Sequence, residues 1–248
     1  LQMYNADYLF GPSNKVLESF AIIKETATYI LFEREYEVEK PWILYIGRNF
    51  ENYVGEVVSY SFYITNGETN KNQYSQYIDD YTLEDLNSYD AVLLYNFKWH
   101  SKDDALDLLA QYLNGGGKLI VDLSGNMADD TWNYGLVSLL GIIPQRVTVP
   151  TEPSFTLYAP FDENEYDFSE FITEEGEWMA ITLSIPDSTE DMDILMRSRD
   201  VVFAAHREIG DGHVIILGGN MIYHSYIKFN YSERQFIEDV FQYTLDLE

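Results

Sequence analysis

The stretch Tyr89–Asn126, YDAVLLYNFKWHSKDDALDLLAQYLNGGGKLIVDLSGN, reads as strand, polar loop, capped helix, glycine stop and second strand. Ala91 to Tyr95 is a short continuous apolar run, the pattern of a strand covered on both faces. Ser101 is placed to cap a helix, with Asp103 and Asp104 favourable in its first turn. Leu106, Leu109, Ala110 and Leu113 then fall at i, i+3, i+4 and i+7, one apolar stripe for a sheet to receive. Asn114 and Gly115 end the helix, glycine accepting the left-handed backbone of a helix stop, and Lys118 to Leu123 resumes as a strand. The three glycines precede a strand rather than open a helix, which disfavours a phosphate-binding loop. Two buried parallel strands joined by a helix are the unit of an open α/β sheet, whose ligands bind beyond the carboxyl ends of its strands.

Working outward, the 248 residues are expected to form a single α/β domain, a mainly parallel central sheet flanked by helices. Residues 1–40 are expected to be an N-terminal helical segment, because Val16, Phe20, Ile23, Ala27 and Ile30 recur by four and three after Ser13 or Asn14. Trp42 to Ile46 is the first core strand, with Gly47-Arg48-Asn49 as a polar turn at its end. Val54, Val57, Val58 and Ser61 suit a helix, although Tyr60, Phe62 and Ile64 leave a strand open. Tyr74 to Ile78 reads as a short edge strand, Thr82 to Leu86 as a helical turn, and Thr131 to Leu140 as a helix stopped by Gly141. Residues 145–200, with Pro150, Pro153, Pro160 and Pro186 and many acids, read as an irregular β-containing insertion. Val201 to Met221 reads as a hairpin turning at Gly210-Asp211-Gly212, and Ser232 with Gln235 as the capping box of a last helix.

Composition narrows the function. Fifteen Lys plus Arg stand against 42 Asp plus Glu, a formal charge of -27, so nucleic acid and anionic membrane surfaces are excluded as main partners by like charge. The absence of cysteine excludes disulfides, thiolate metal sites and a cysteine nucleophile. Four histidines without H-x-x-H spacing argue against a metal, and Asp187, Glu190, Asp191 and Asp193 lack the glycine and terminal glutamate of an EF-hand loop. No cofactor is expected. Asn230-Tyr231-Ser232 matches a glycosylation acceptor, and the start at Leu1 is expected of a piece of a longer protein.

The order of elements from Trp42 to Glu248, carried by LEDLNSYDAVLLYN, LNGGGKLIVDLSGN, AAHREIGDGHVIILGGNMIYH and the final helix, resembles the flavodoxin-like class I glutamine amidotransferase-like fold. Active members of that family hold a cysteine on a strand-to-helix elbow and a late histidine followed two residues on by glutamate. Here the elbow position is Ser124-Gly125-Asn126 and the late histidine is His224, followed by Ser225 and Tyr226. The resemblance therefore implies the fold without glutamine hydrolysis, in a domain of the kind found on the extracytoplasmic side of bacterial and archaeal membrane proteins, tethered through segments outside this chain; the alternative compartment is the cytoplasm. The strand-end crevice would gather Arg48, Asn49, Asn96, Lys98, Trp99, His100, Ser124, Asn126, Asn220, Tyr223 and His224, groups suited to a small polar or sugar-like ligand or a protein partner. Polar loops end the strands of any open sheet, so the same residues also suit a surface with no ligand. The enzymatic alternative is a serine hydrolase with Ser124 as nucleophile and His224 as base, oriented by Asp122 or a residue distant in sequence.

Overall fold

The computed structural model describes residues 8–12, 20–25, 29–34, 40–48, 54, 57, 62–65, 75–123, 136–149, 154–168, 178–185, 191–228 and 230–248. The chain divides into two compact units, Leu1–Lys40 and Pro41–Glu248. The first holds β1 (Tyr8–Pro12), β2 (Phe20–Glu25) and β3 (Tyr29–Arg34) in an antiparallel sheet of order β1-β3-β2. This corrects the helical segment expected over 1–40. The helix-spaced residues overlap a second pattern of period two, Phe20 with Ile22 and Ile30 with Phe32, in segments rich in β-branched and aromatic residues. Pairing of Ile22 with Phe32 across the two strands realises that pattern.

The second unit is built on a sheet of ten strands. In chain order they are β4 (Trp42–Gly47), β5 (Tyr63–Thr65), β6 (Ala91–Tyr95), β7 (Lys118–Asp122), β8 (Ile143–Val149), β9 (Phe155–Leu157), β10 (Trp178–Ser184), β11 (Met192–Ser198), β12 (Val201–Ile209) and β13 (Gly212–Leu217). Their order is β5-β4-β6-β7-β13-β12-β10-β8, with β11 on β12 and β9 on β11. From β5 to β13 all neighbours are parallel, and from β13 onward all are antiparallel. The three strands expected to be parallel, at Trp42, Ala91 and Leu119, are so, but the sheet is mixed rather than mainly parallel. The reason is the two-residue turn between β12 and β13, which cannot reverse the chain into a parallel pair. Correspondingly, the described strands in residues 145–200 are not an irregular excursion; they extend the sheet across β12.

Alternation along the central strands divides the core into two layers. Ile43, Tyr45, Ala91, Leu93, Ile120 and Ile215 face one side, and Leu44, Ile46, Val92, Leu94, Leu119, Val121, Val214 and Ile216 the other, all essentially inaccessible. The second side is covered by α1 (Leu83–Asn87) and α2 (Lys102–Asn114), through Leu86, Ala105, Leu109 and Leu113. The first side is covered by Val54 and Val57, both helical, by α4 (Met221–Lys228) and by α5 (Tyr231–Asp246), through Phe236, Ile237, Val240 and Phe241. The remaining short helix, α3 (Val137–Leu140), ends at Gly141 in the left-handed conformation, as expected for the end of the helix read over 131–140, whose first half lies outside the described residues. Thr82 and Asp85 make the reciprocal capping box of α1.

The glycine run after α2 divides its tasks. The left-handed residue is Gly116, φ 90°, and not Gly115 as expected, while a Cβ on Gly117 would stand 2.6 Å from the Tyr112 ring. That ring is fixed because its hydroxyl accepts from Lys118 N at 3.2 Å and donates to Lys118 O at 3.1 Å. Gly212, at the start of β13, is closer still: a Cβ there would meet Leu113 O at 2.3 Å and Gly117 O at 2.5 Å, both backbone atoms. Gly212→Ala is expected to lower stability by about 3 kcal/mol, because neither carbonyl can withdraw without moving α2 or β7, and urea denaturation measures it.

Candidate functional site

The carboxyl ends of β4 and β6 are stitched together by backbone and by one buried phenol. Arg48 N donates to Asn96 O at 3.2 Å. The Tyr45 hydroxyl donates to Tyr95 O at 3.0 Å and also contacts Arg48 O. Burial, with a smaller contribution from the Asp122 charge, pushes the Tyr45 phenol far up, so it stays a donor at any physiological pH. Asn96 ends β6 at φ 54°, a left-handed conformation that asparagine tolerates better than most residues. From there the chain runs beside residues 76–80: Lys98 N donates to Gln76 O at 2.7 Å, Ile78 N to Lys98 O at 2.9 Å, and the Arg48 guanidinium reaches the Gln76 side-chain oxygen. The expected edge strand at 74–78 is, in its described part, a single parallel bridge from Tyr77 to Lys98 followed by a 3-10 turn over Ile78–Asp80.

Asp79 then takes over the start of α2. Its carboxylate accepts from His100 N at 2.9 Å and from Ser101 N at 2.6 Å, while Ser101 caps the helix by accepting from Asp104 N at 3.4 Å. Free amides at a helix start are where open α/β sheets hold phosphate. Here an internal carboxylate receives those two at the loop. The His100 ring stacks on Tyr77 with centroids 3.9 Å apart and planes 11° apart, and its Nε2 lies 3.5 Å from Asp80. Trp99 packs partly against the core beside Phe97. Arg48, Asn96, Lys98 and His100 therefore share one rim, as expected from the sequence, but Gln76, Tyr77, Asp79 and Asp80 belong to it equally. Sequence reasoning missed these four because they lie about 20 residues away from their partners and carry no local signature.

The end of β13 builds a second cluster. Asn220, buried at φ 57°, turns the chain into α4, and its carbonyl accepts from His224 N at 3.0 Å. Tyr223 is half-buried on the same helix. His224 and Glu233 both have 0% exposure, and the imidazole Nδ1 lies 2.8 and 2.9 Å from the two carboxylate oxygens. The expectation that a tyrosine replaces the orienting acid is corrected: the acid arrives from the next helix. Asn230, not Ser232, is the N-cap of α5; its side chain accepts from Glu233 N and donates to the Glu233 carboxylate, each at 3.1 Å. The pattern Asn-x-x-Glu, which places a carboxylate facing back over a helix start, is the signal that could have found Glu233. With Nδ1 donating to Glu233, Nε2 is the basic nitrogen, the arrangement that orients a histidine base. Asn49, Ser124 and Asn126 lie outside the described residues. Among the described residues no group of three or more His, Asp or Glu side chains can hold a metal ion, and no helix is long and apolar enough to cross a membrane.

The domain of unknown function DUF8560 matches residues 47–224, well over half of the chain. The chain belongs to the DUF8560 family. The match begins at the end of β4 and closes on His224, so Glu233 lies beyond the part of this DUF8560 chain that the family describes. No curated protein is significantly similar to it. Among solved structures, the cytoplasmic protein STM1381 of Salmonella typhimurium LT2 is 15% identical, with a TM-score of 0.57 over 82% of this chain and 99% of that one. The mmIFT52 N-terminal domain is 16% identical, with a TM-score of 0.52 over 82% of this chain and 97% of that one. A ThuA-like protein from Bacteroides uniformis is 13% identical, with a TM-score of 0.45 over 84% and 94%. The first two share the fold of the DUF8560 chain, and at such identity the likeness extends to fold alone.

The sequon at Asn230 coincides with the cap of α5, so its amide is already committed to Glu233. Asn230→Ala is expected to lower stability by about 1–2 kcal/mol as a lost cap. Glu233→Ala, which strands His224 in the core, should lower it by about 3–5 kcal/mol. Guanidinium unfolding of both variants checks the order.

Proposed function

We propose that this domain is a non-catalytic binding module on a degenerate glutamine amidotransferase-like fold, taking a small polar or sugar-like ligand at the rim of Arg48, Asn96, Lys98, Trp99 and His100. The observation that carries the reading is the state of His224: its ring is fully enclosed between α4 and α5, held by a carboxylate that is itself enclosed. A base that must exchange protons with a substrate needs an approach to one of its nitrogens, whereas a packed ring with a satisfied partner contributes to the core. The chain also lacks the cysteine on which amidotransferase chemistry depends. Asp79 supports an uncharged ligand over a phosphate, since it supplies negative charge where a phosphate would dock.

The second reading, a hydrolase using Ser124 and His224, is favoured by one observation, the carboxylate set on Nδ1 of His224. One set of assays separates them. Purified protein should release no ammonia from glutamine and should hydrolyse nothing in a panel of esters, amides and glycosides. A hydrolysis that Ser124→Ala abolishes, in a variant that still folds, would put the hydrolase in place of the binding module. For the rim, a panel of mono- and disaccharides read by thermal shift should contain a binder whose affinity falls about tenfold in Trp99→Ala, through lost stacking area.

The proposal extends to the extracytoplasmic face of a cell membrane, with tethering through segments outside this chain. A protein without cysteine has no thiol to oxidise there, which supports the placement. Protease added to intact cells should digest the domain; protection until lysis would favour the cytoplasmic alternative.

A further inference from the structure

At the amino end of the parallel strands, away from the rim, two buried histidines form a chain of hydrogen bonds that the binding reading does not use. His206 on β12 and His213 on β13 lie on the sheet face that α5 covers, their rings stacked with centroids 5.3 Å apart. His206 Nε2 is 3.1 Å from His213 Nδ1, and His213 Nε2 is 2.9 Å from the carbonyl oxygen of Glu248, just past the end of α5. On the far side, His206 Nδ1 is 3.4 Å from the exposed carboxylate of Asp193 on β11. Tyr243 of α5 meets the His206 ring edge to face, Glu208 contributes a charge from β12, and Lys118 of β7 donates its Nζ to Leu245 O at 2.5 Å.

The polarity of this chain follows from its ends. A carbonyl oxygen only accepts, so His213 Nε2 carries a hydrogen; in the neutral ring Nδ1 is then a lone pair, and His206 Nε2 must donate to it. His206 Nδ1 is left as the basic nitrogen facing Asp193. A first added proton goes there and leaves every bond in place. A second would sit on His213 Nδ1, opposing the His206 N–H across 3.1 Å, and the link cannot survive it.

We propose that the His206 and His213 pair is an acid-released latch, fastening the chain end after α5 to the start of β13 while at most one of the rings is charged and opening when both are. Burial holds His206 below the usual histidine range, with Asp193 and Glu208 opposing and His213 reinforcing that shift. A folded value below the unfolded one of about 6.5 makes the pair's contribution complete above that pH and lost as pH falls through the lower folded value. Opening therefore belongs to mildly acidic solution. Lys118, permanently charged, keeps its grip on Leu245, so release is confined to the residues after it.

Hydrogen exchange of the backbone amides from Tyr243 to Glu248, corrected for intrinsic rates, tests the latch between pH 7.5 and 5. Protection should fall by about tenfold on the acid side, while the amides of β13 keep theirs. His206→Gln, which keeps a donor near the Nε2 position and cannot titrate, should hold protection constant across the range. His213→Gln, which keeps the donor to Glu248 and removes Nδ1, should do the same, and near-ultraviolet circular dichroism verifies that each variant is folded. Protection that does not change with pH in the unmodified protein, or that falls equally in a folded glutamine variant, overturns the proposal. Imidazole nitrogen shifts add a second check: Nε2–H tautomers in both rings at pH 7.5 are expected, and mixed tautomers titrating independently near 6.5 contradict the chain.

Discussion

β13 is the constraint on which the second unit depends. All six of its residues are buried, it pairs in parallel with β7 on one side and antiparallel with β12 on the other, and so it joins two sheets of different construction into one. A strand in that position must be apolar on both faces, must begin without a side chain where α2 ends against it, and must deliver its carboxyl end to the loop that starts α4. The sequence GHVIIL followed by GGN meets each demand: glycine at the contact with Leu113 O and Gly117 O, four aliphatic residues for the two layers, and a left-handed asparagine for the exit.

The same economy shapes the two ends of the sheet. Positions where open α/β proteins present free amides, charges or bases to a ligand are here largely engaged by the chain itself. Asp79 receives amides at the start of α2, Gln76 receives Arg48, Tyr77 covers one face of His100, and Glu233 engages His224. These contacts span long intervals of sequence and rigidify the strand ends without making a reactive centre. What remains accessible is a rim of amide, cationic and aromatic groups, the composition of a polar-ligand surface.

Charge acts differently at the helix ends. The last turn of α5 carries no basic residue, and the chain as a whole has few to spare. The negative end of the helix is met instead from the sheet, by the Lys118 ammonium on Leu245 O and, just beyond, by the His213 ring on Glu248 O. Tertiary contacts thus supply the capping that local sequence omits, which ties the C-terminal helix to the register of β7 and β13.

The sequence by itself determined the parts whose physics is local. The apolar runs of β4, β6 and β7, the Ser101 cap and buried stripe of α2, and the β12–β13 turn are set by neighbours within a few residues, and each is read correctly from spacing and residue type. The rim residues Arg48, Asn96, Lys98 and His100 follow from the same logic, since strand ends locate themselves once strands are known. Only the tertiary structure decided the rest. Residues 20–34 satisfy two periodicities, and pairing with β1 rather than propensity selects the strand. The hand of the sheet changes at β13 because strand pairing is a contact between segments distant in sequence. Glu233 finds His224, and Asp79 finds the start of α2, because a carboxylate's partner is chosen by proximity in space, and in a chain this acidic nothing in the sequence distinguishes those two from the other forty carboxylates until the chain has folded.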